Sequence, residues 1–327
     1  MQKKVLVTRE VFDETISYLA GHFDVTSNQE NVDYSRDQMV ARLQGMDGAL
    51  VVTTDRIDED LLSRCPSLKA VCSVSVGFNH IDLAACTRHG VMATNTPGVL
   101  TDSVADMAMC LTLATVRRAM EGERLVRARQ WHGTHLKELL GHDLHHAKVG
   151  ICGLGRIGQT IARRLRGFEV ELLYTDLVRA DPKVEQALGA TFLTKDELLR
   201  QADIVVLILP YTPQTHHYIG APELALMRRS AVLINIARGG IVDDTALAQA
   251  LRSRQIWAAG LDVYENEPKV NPALFELDNV VLTPHIASAT EPTRQAMAML
   301  AARNCVTALT SSDPPPNLLN PEVRRQT

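Results

Sequence analysis

AKVGICGLGRIGQTIARRL (147–165) carries Gly153, Gly155 and Gly158 in G-x-G-x-x-G spacing between an apolar strand pattern and a helical one, QTIARRL. The spacing alone is a weak signal. A strand before it and a helix after it supply the context in which it works. The first glycine permits the tight turn, the second lets backbone approach a pyrophosphate, and the third allows close packing of helix on strand. The helix N-terminus adds unpaired N–H groups and positive potential. The next apolar run, EVELLYTD, ends on Asp176, 18 residues beyond Gly158. An acidic side chain there accepts hydrogen bonds from the adenosine ribose hydroxyls and repels a 2′-phosphate, which favours NAD. A strand-end aspartate can also simply cap the following turn, and the nearby Arg179 keeps NADP open as the alternative.

Outward from this motif, strand and helix patterns alternate. KVLVT, GALVVT (48–53) and KAVCSVS (69–75) each precede a helical segment, over 11–20, from Asp58 and from near Asp82. Further strands are expected at 148–152, 170–175, 204–209, 231–236, 256–263 and 280–283. Such repetition predicts parallel sheets covered on both faces. Between the two series, a Pro-Gly turn and a Thr-Asp start signal predict one long helix from Asp102 to about Arg129. An Ala-rich helix follows over 291–309, then a proline-rich tail. A chain of 327 residues exceeds one ordinary core, so two domains are expected.

Composition narrows the class. Hydrophobic residues make up 46% and charged residues 22%, as in a globular protein; the net charge of -4 gives no electrostatic case for nucleic acid. MQKKVLVTRE reads as a first strand rather than a signal peptide, and no run reaches the roughly 18 apolar residues of a membrane span. Six cysteines without a CxxC read as reduced thiols of a cytoplasmic protein. The pairs His145–His146 and His216–His217 lack the sequence partners of a metal site, so no metal is expected.

The chemistry is carried further along. Arg238, in VLINIARGGIVDDTAL, follows a strand and precedes a Gly-Gly turn, so it points to the end of the sheet where ligands bind. Its guanidinium could fork onto a carboxylate or polarise a carbonyl, or else pair with Asp243 or Asp244. GLDVYENEP sets Asp262 at a strand end and Glu267 before a proline; VLTPHIASAT sets His285 after a strand. If Glu267 and His285 meet, the carboxylate orients the imidazole and stabilises its cation. A protonated histidine could then give a proton to a carbonyl oxygen as hydride reaches carbon. With a nicotinamide cofactor, that set fits reduction of a 2-keto acid.

GLGRIG, NIARGGIVDD, GLDVYENEP and PHIASAT, in that order, resemble the D-isomer-specific 2-hydroxyacid dehydrogenases over essentially the whole chain. SVSVGFNHIDL and NTPGVLTDSVADM are similar to that family's substrate loop and interdomain helix, and DLHHAKVGICGLGRIG with HIASAT resembles its glyoxylate/hydroxypyruvate reductase and 2-ketogluconate reductase branch. The resemblance implies an α/β fold of two doubly wound parallel-sheet domains. These would be a flavodoxin-like substrate domain (1–99 and 287–327) and a Rossmann-like NAD-binding domain (100–286), with a cleft between them and a homodimer as the assembly. It assigns substrate carboxylate and carbonyl to Arg238, proton transfer to His285, and the holding of His285 to Glu267. Backbone N–H groups of Val76 and Gly77 would take the substrate carboxylate. Gly153, Gly155, Arg156, Ile157, Gly158, Asp176, Pro210, Ile236, Asp262 and His285 would line the cofactor. NADP-using relatives carry a small residue then arginine where this chain has Asp176-Leu177, and many place an aromatic residue in the dimer arm where Leu139 and Leu140 stand.

Phosphoglycerate dehydrogenase is disfavoured because the chain ends soon after its last helix, and formate dehydrogenase because Glu267 stands where that branch has glutamine. Phosphite dehydrogenase, which shares the Arg–Glu–His set, and a non-catalytic NAD-sensing adaptor are the rival readings.

Overall fold

Strands buried on both faces need near-continuous apolar runs, and KVLV, GALV and AVCS supply them apart from the exposed Lys4 and the terminal Ser73. The computed structural model of the protein describes residues 2–325. The chain divides into two compact units, residues up to Leu100 with those from Ala289 onward, and Thr101–Ser288.

The first unit is built from β1 (Lys4–Val7), α1 (Asp13–Ala20), β2 (Asp24–Ser27), α2 (Arg36–Leu43), β3 (Gly48–Val51), α3 (Glu59–Arg64), β4 (Ala70–Ser73), α4 (Leu83–Arg88) and β5 (Met92–Thr94). Its five strands are parallel in the order β2-β1-β3-β4-β5, the flavodoxin-like arrangement. The pleat sends Val5 and Val7 to one face, packed with Leu19, Ala301, Cys305 and Leu309, and Leu6 to the other, packed with Met39, Leu43, Leu61 and Val71. Each such aliphatic side chain contributes about 1.5–3 kcal/mol by leaving water.

The second unit runs α5 (Thr101–Val116), α6 (Ala119–Arg127), β6 (Lys148–Cys152), α7 (Arg156–Leu165), β7 (Glu171–Thr175), α8 (Pro182–Leu188), β8 (Ala190–Phe192), α9 (Lys195–Gln201), β9 (Ile204–Leu207), α10 (Ala221–Leu226), β10 (Val232–Asn235), α11 (Asp244–Arg252), β11 (Ala258–Leu261) and β12 (Val280–Leu282). The last helix, α12 (Glu291–Thr310), belongs to the first unit. Seven parallel strands stand in the order β12-β11-β10-β9-β6-β7-β8. Strand order reverses between β6 and β9, and the carboxyl ends of strands around such a switch point are where ligands bind in doubly wound sheets.

The expected single helix over 102–129 is two helices. Arg118 adopts a left-handed conformation between them, φ 51°, and clamps Glu121 through two bonds of 2.9 and 2.7 Å. The Val116 carbonyl accepts instead from His142 N–H at 2.8 Å, so a distant segment breaks what local propensity would continue. All six cysteines are unbridged. Among the described residues, no helix is long and apolar enough to cross a membrane.

Candidate active site

β6 runs straight into the glycine loop. A Cβ on Gly158 would lie 2.0 Å from the Gly153 carbonyl oxygen, so only glycine lets α7 pack this close. A Cβ on Gly155 would meet nothing within 4 Å. That open space lies directly before α7, whose N-cap is Gly155 and has no side-chain cap. The first N–H groups of α7, at exposed Arg156 and half-buried Ile157, therefore face outward without a capping oxygen. At the end of β7 the Asp176 carboxylate accepts from Leu154 N–H and Leu177 N–H, both at 2.7 Å. These two bonds fix its plane and leave each oxygen a further lone pair. A glycine cradle, an uncapped helix terminus and an oriented carboxylate fit the pyrophosphate and ribose of a dinucleotide.

Arg179 is not free beside them. Its guanidinium forks onto Glu185 at 2.8 and 2.9 Å, and it lies 5.7 Å over the Phe192 ring. Tyr174 hydroxyl donates to the same Glu185 at 2.6 Å. The Arg179 bond first, then that of Tyr174, holds the Glu185 carboxyl down at about 2.

The acid–base pair forms at the ends of β11 and β12. His285 Nδ1 and Glu267 Oε2 are 2.7 Å apart. The other oxygen, Oε1, accepts from Tyr264 N–H at 2.8 Å. Burial alone would raise the Glu267 carboxyl, but the His285 bond and charge, the Tyr264 N–H and Arg238 outweigh it and hold the group below its ordinary value. Glu267 is thus an ionised acceptor, so Nδ1 carries the proton in that bond and Nε2 is left to face a ligand. His285 itself has φ 53°, a left-handed strain that the loop holds in place.

That loop is anchored by Asp262, which is fully buried. Its carboxylate accepts from Thr283 hydroxyl at 2.6 Å and from Ile286 and Ala287 N–H at 2.9 Å. Tyr264 hydroxyl adds a bond to Thr283 O at 2.8 Å. In the structure, Asp262 serves as the brace of the His285 loop.

Arg238 follows β10, and its loop presses on the Glu267 turn: a Cβ on Gly239 would lie 1.7 Å from Tyr264 O. The alternative pairing with Asp243 or Asp244 does not form, since Asp243 caps α11 and Asp244 accepts from Glu265 N–H at 3.0 Å. Among the described residues, Arg238 donates only to the Ala237 carbonyl, at 2.7 Å, and its buried Nε has no partner. Burial lowers its pKa, opposed by the Glu267 charge. A cation held in this way calls for an anionic ligand.

Of the other expected site residues, exposed Pro210 follows β9 and buried Ile236 follows β10. Val76 and Gly77 lie in the loop after β4 of the first unit. Their carbonyls accept from Asn95 and Ser75, and their N–H groups take no partner among the described residues. Sequence reasoning named Asp262 but not its bracing role, and it missed the braces Tyr264 and Thr283 and the Glu185 clamp on Arg179. It also missed Glu265, which meets His217 across 48 positions of sequence.

Residues 109–287 match the model of a family described as D-isomer specific 2-hydroxyacid dehydrogenase, NAD binding domain. The chain is 44% identical over 327 residues to the glyoxylate reductase of Thermococcus onnurineus (strain NA1), covering 99% of this chain and 97% of that protein. To the glyoxylate reductase of Pyrococcus horikoshii it is 42% identical with the same coverage. Among solved structures it resembles the NADPH-dependent glyoxylate/hydroxypyruvate reductase of Sinorhizobium meliloti in complex with NADP and malonate. That likeness has a TM-score of 0.84 and 31% identity over 99% of this chain and 98% of that one.

Proposed function

The chain belongs to the D-isomer specific 2-hydroxyacid dehydrogenases, oxidoreductases with a nicotinamide-dinucleotide domain, and from that premise we propose that it reduces a small 2-keto acid to the D-2-hydroxy acid with NADH. The observation that carries this reading is the buried, unpartnered Nε of Arg238 beside the Glu267–His285 pair.

Arg238 forks onto the carboxylate and carbonyl of the substrate, satisfying Nε with an anion. The Val76 and Gly77 N–H groups of the first unit are suited to receiving a carboxylate. Bound nicotinamide supplies the hydride. His285 delivers its Nε2 proton to the carbonyl oxygen, while Glu267 keeps Nδ1 protonated and the imidazole oriented. Gly153, Gly155, Arg156, Ile157 and Gly158 hold the pyrophosphate, Asp176 the adenosine ribose, and Pro210 and Ile236 flank the cofactor. Asp262 acts on the cofactor side through the loop it braces.

Two features together support NAD over NADP. Asp176 turns a carboxylate toward the 2′ position, and Glu185 withholds Arg179, the nearby cation that could meet a phosphate. The relatives named glyoxylate reductase make glyoxylate the first substrate to try, with hydroxypyruvate and 2-ketogluconate beside it. A homodimer is supported by the apolar residues exposed along one stretch of the second unit: Met120, Val126, Trp131, Leu136 and Leu140. Unbridged cysteines fit a reducing compartment, the cytoplasm.

The test is a panel of the three keto acids with NADH and with NADPH, followed by loss of reduced-nicotinamide absorbance. Turnover of one of them with NADH preferred is expected. Tight NADH binding with no turnover of any 2-keto acid would overturn the enzyme reading in favour of an adaptor.

A further inference from the structure

His216 and His217 stack face to face in the turn before α10, ring centroids 3.9 Å apart and planes inclined by 23°. Glu265 reaches them from the turn that also carries Glu267, its Oε1 3.1 Å from His217 Nε2. One ligand atom from each of His216, His217 and Glu265 lies within 4.8 Å of the other two.

The outer contacts are those a metal site requires. Tyr211 hydroxyl lies 3.1 Å from His216 Nδ1; with Nδ1 donating to it, Nε2 is the atom that can coordinate. Glu265 N–H donates to Asp244 at 3.0 Å, fixing the carboxylate-bearing backbone. His217 N–H donates to Gly240 O at 2.8 Å, so the histidine turn is tied to the Arg238 loop.

We propose that His216, His217 and Glu265 bind one divalent transition-metal ion of the zinc class, joining the histidine turn to the turn that holds Glu267. Two imidazoles and one carboxylate with an open fourth position are a zinc ligand set. Magnesium and calcium prefer all-oxygen shells. With metal–ligand bonds of about 2.0–2.2 Å, tetrahedral ligand atoms stand about 3.3–3.5 Å apart. The His217–Glu265 separation is already near that value, and exposed His216 closes the rest by side-chain rotation. Metal capture by these three side chains does not depend on which keto acid is reduced, and it is read as binding rather than turnover.

The experiment is calorimetric titration of the full chain, stripped with chelator, with zinc chloride alone and with magnesium chloride alone. Melting temperature is followed in parallel. One equivalent of Zn2+ should bind and raise the melting temperature, with no response to Mg2+. His216→Ala and Glu265→Gln should each weaken Zn2+ binding at least tenfold, whereas a His145→Ala/His146→Ala double variant should bind as the parent does. His216 is exposed, so its loss leaves folding intact, and an unchanged melting temperature without metal verifies that. Absence of Zn2+ binding in the parent chain, or binding that survives both His216→Ala and Glu265→Gln, overturns the proposal.

Discussion

Replacing Glu267 with glutamine removes a charge while keeping size and shape, and the local geometry determines the effect. Glu267 accepts two bonds, from Tyr264 N–H at 2.8 Å and from His285 Nδ1 at 2.7 Å. Glutamine offers one oxygen and one NH2. If the oxygen stays on Tyr264, the NH2 faces Nδ1, which must then accept, and the imidazole is held neutral. If the amide flips, the NH2 opposes the Tyr264 N–H, donor against donor. Either way a charge-assisted bond of about 1.5–3 kcal/mol is lost. Both side chains are 32% exposed, so the lower half of that range applies. At about 1.36 kcal/mol per tenfold, kcat/KM for the keto acid should fall about 10- to 50-fold. The pH above which kcat/KM declines should also move downward, because the variant disfavours the cationic imidazole. Steady-state rates with saturating NADH across pH, with NADH affinity from fluorescence titration, measure both effects. An unchanged rate and pH profile, or a loss lying wholly in NADH affinity, would refute the reasoning.

Two glycines of one motif should behave oppositely. Gly155→Ala, whose Cβ meets no atom within 4 Å, should leave stability within about 0.5 kcal/mol of the parent but weaken NADH binding. Gly158→Ala, with its Cβ 2.0 Å from Gly153 O, should lower the melting temperature. Glu185→Gln should release Arg179 and narrow the preference for NADH over NADPH in kcat/KM; an unaltered ratio would mean that Asp176 alone decides. Asp244 stands at about 6 against an ordinary 3.8, raised chiefly by burial. Its folded form tolerates the protonated carboxyl, so that contribution is full below about pH 3.8 and is lost as pH rises through about 6. At about 1.36 kcal/mol per unit, the cost at neutral pH is at most about 3 kcal/mol. Asp244→Asn keeps an acceptor for Glu265 N–H and should melt higher than the parent near pH 8, with the gap closing toward pH 4; a gap that is constant with pH would count against burial as the cause.

The features legible in the chain divide from the rest along physical lines. Strands buried on both faces, such as β3, β4, β9 and β10, are buried throughout and apolar but for Ser73 and Asn235 at two of their ends, so they stand out in the sequence. The edge strands β2, β5 and β8 do not: DVTS alternates exposed with half-buried residues, and the other two are three residues long. The break between α5 and α6 is equally silent, because its cause is a bond from His142, some 26 residues away from Val116. Arg238, Glu267 and His285 are legible because each follows a strand of a parallel sheet, where chemistry collects. Their supports are not. Asp262 reads as one more strand-end acid until the structure shows it gripping residues 283–287, and Glu185 reads as a surface helix residue until Arg179 folds onto it. Pairings made across long stretches of chain leave no periodic trace.

The most direct measurement is single-turnover oxidation of bound NADH by glyoxylate, comparing the parent chain with His285→Ala and titrating NADH into both. With His285 as proton donor, the rate should drop by about 10²–10⁴-fold while NADH binds equally well. A variant that turns over at the parental rate, or one that fails to bind NADH, would contradict it.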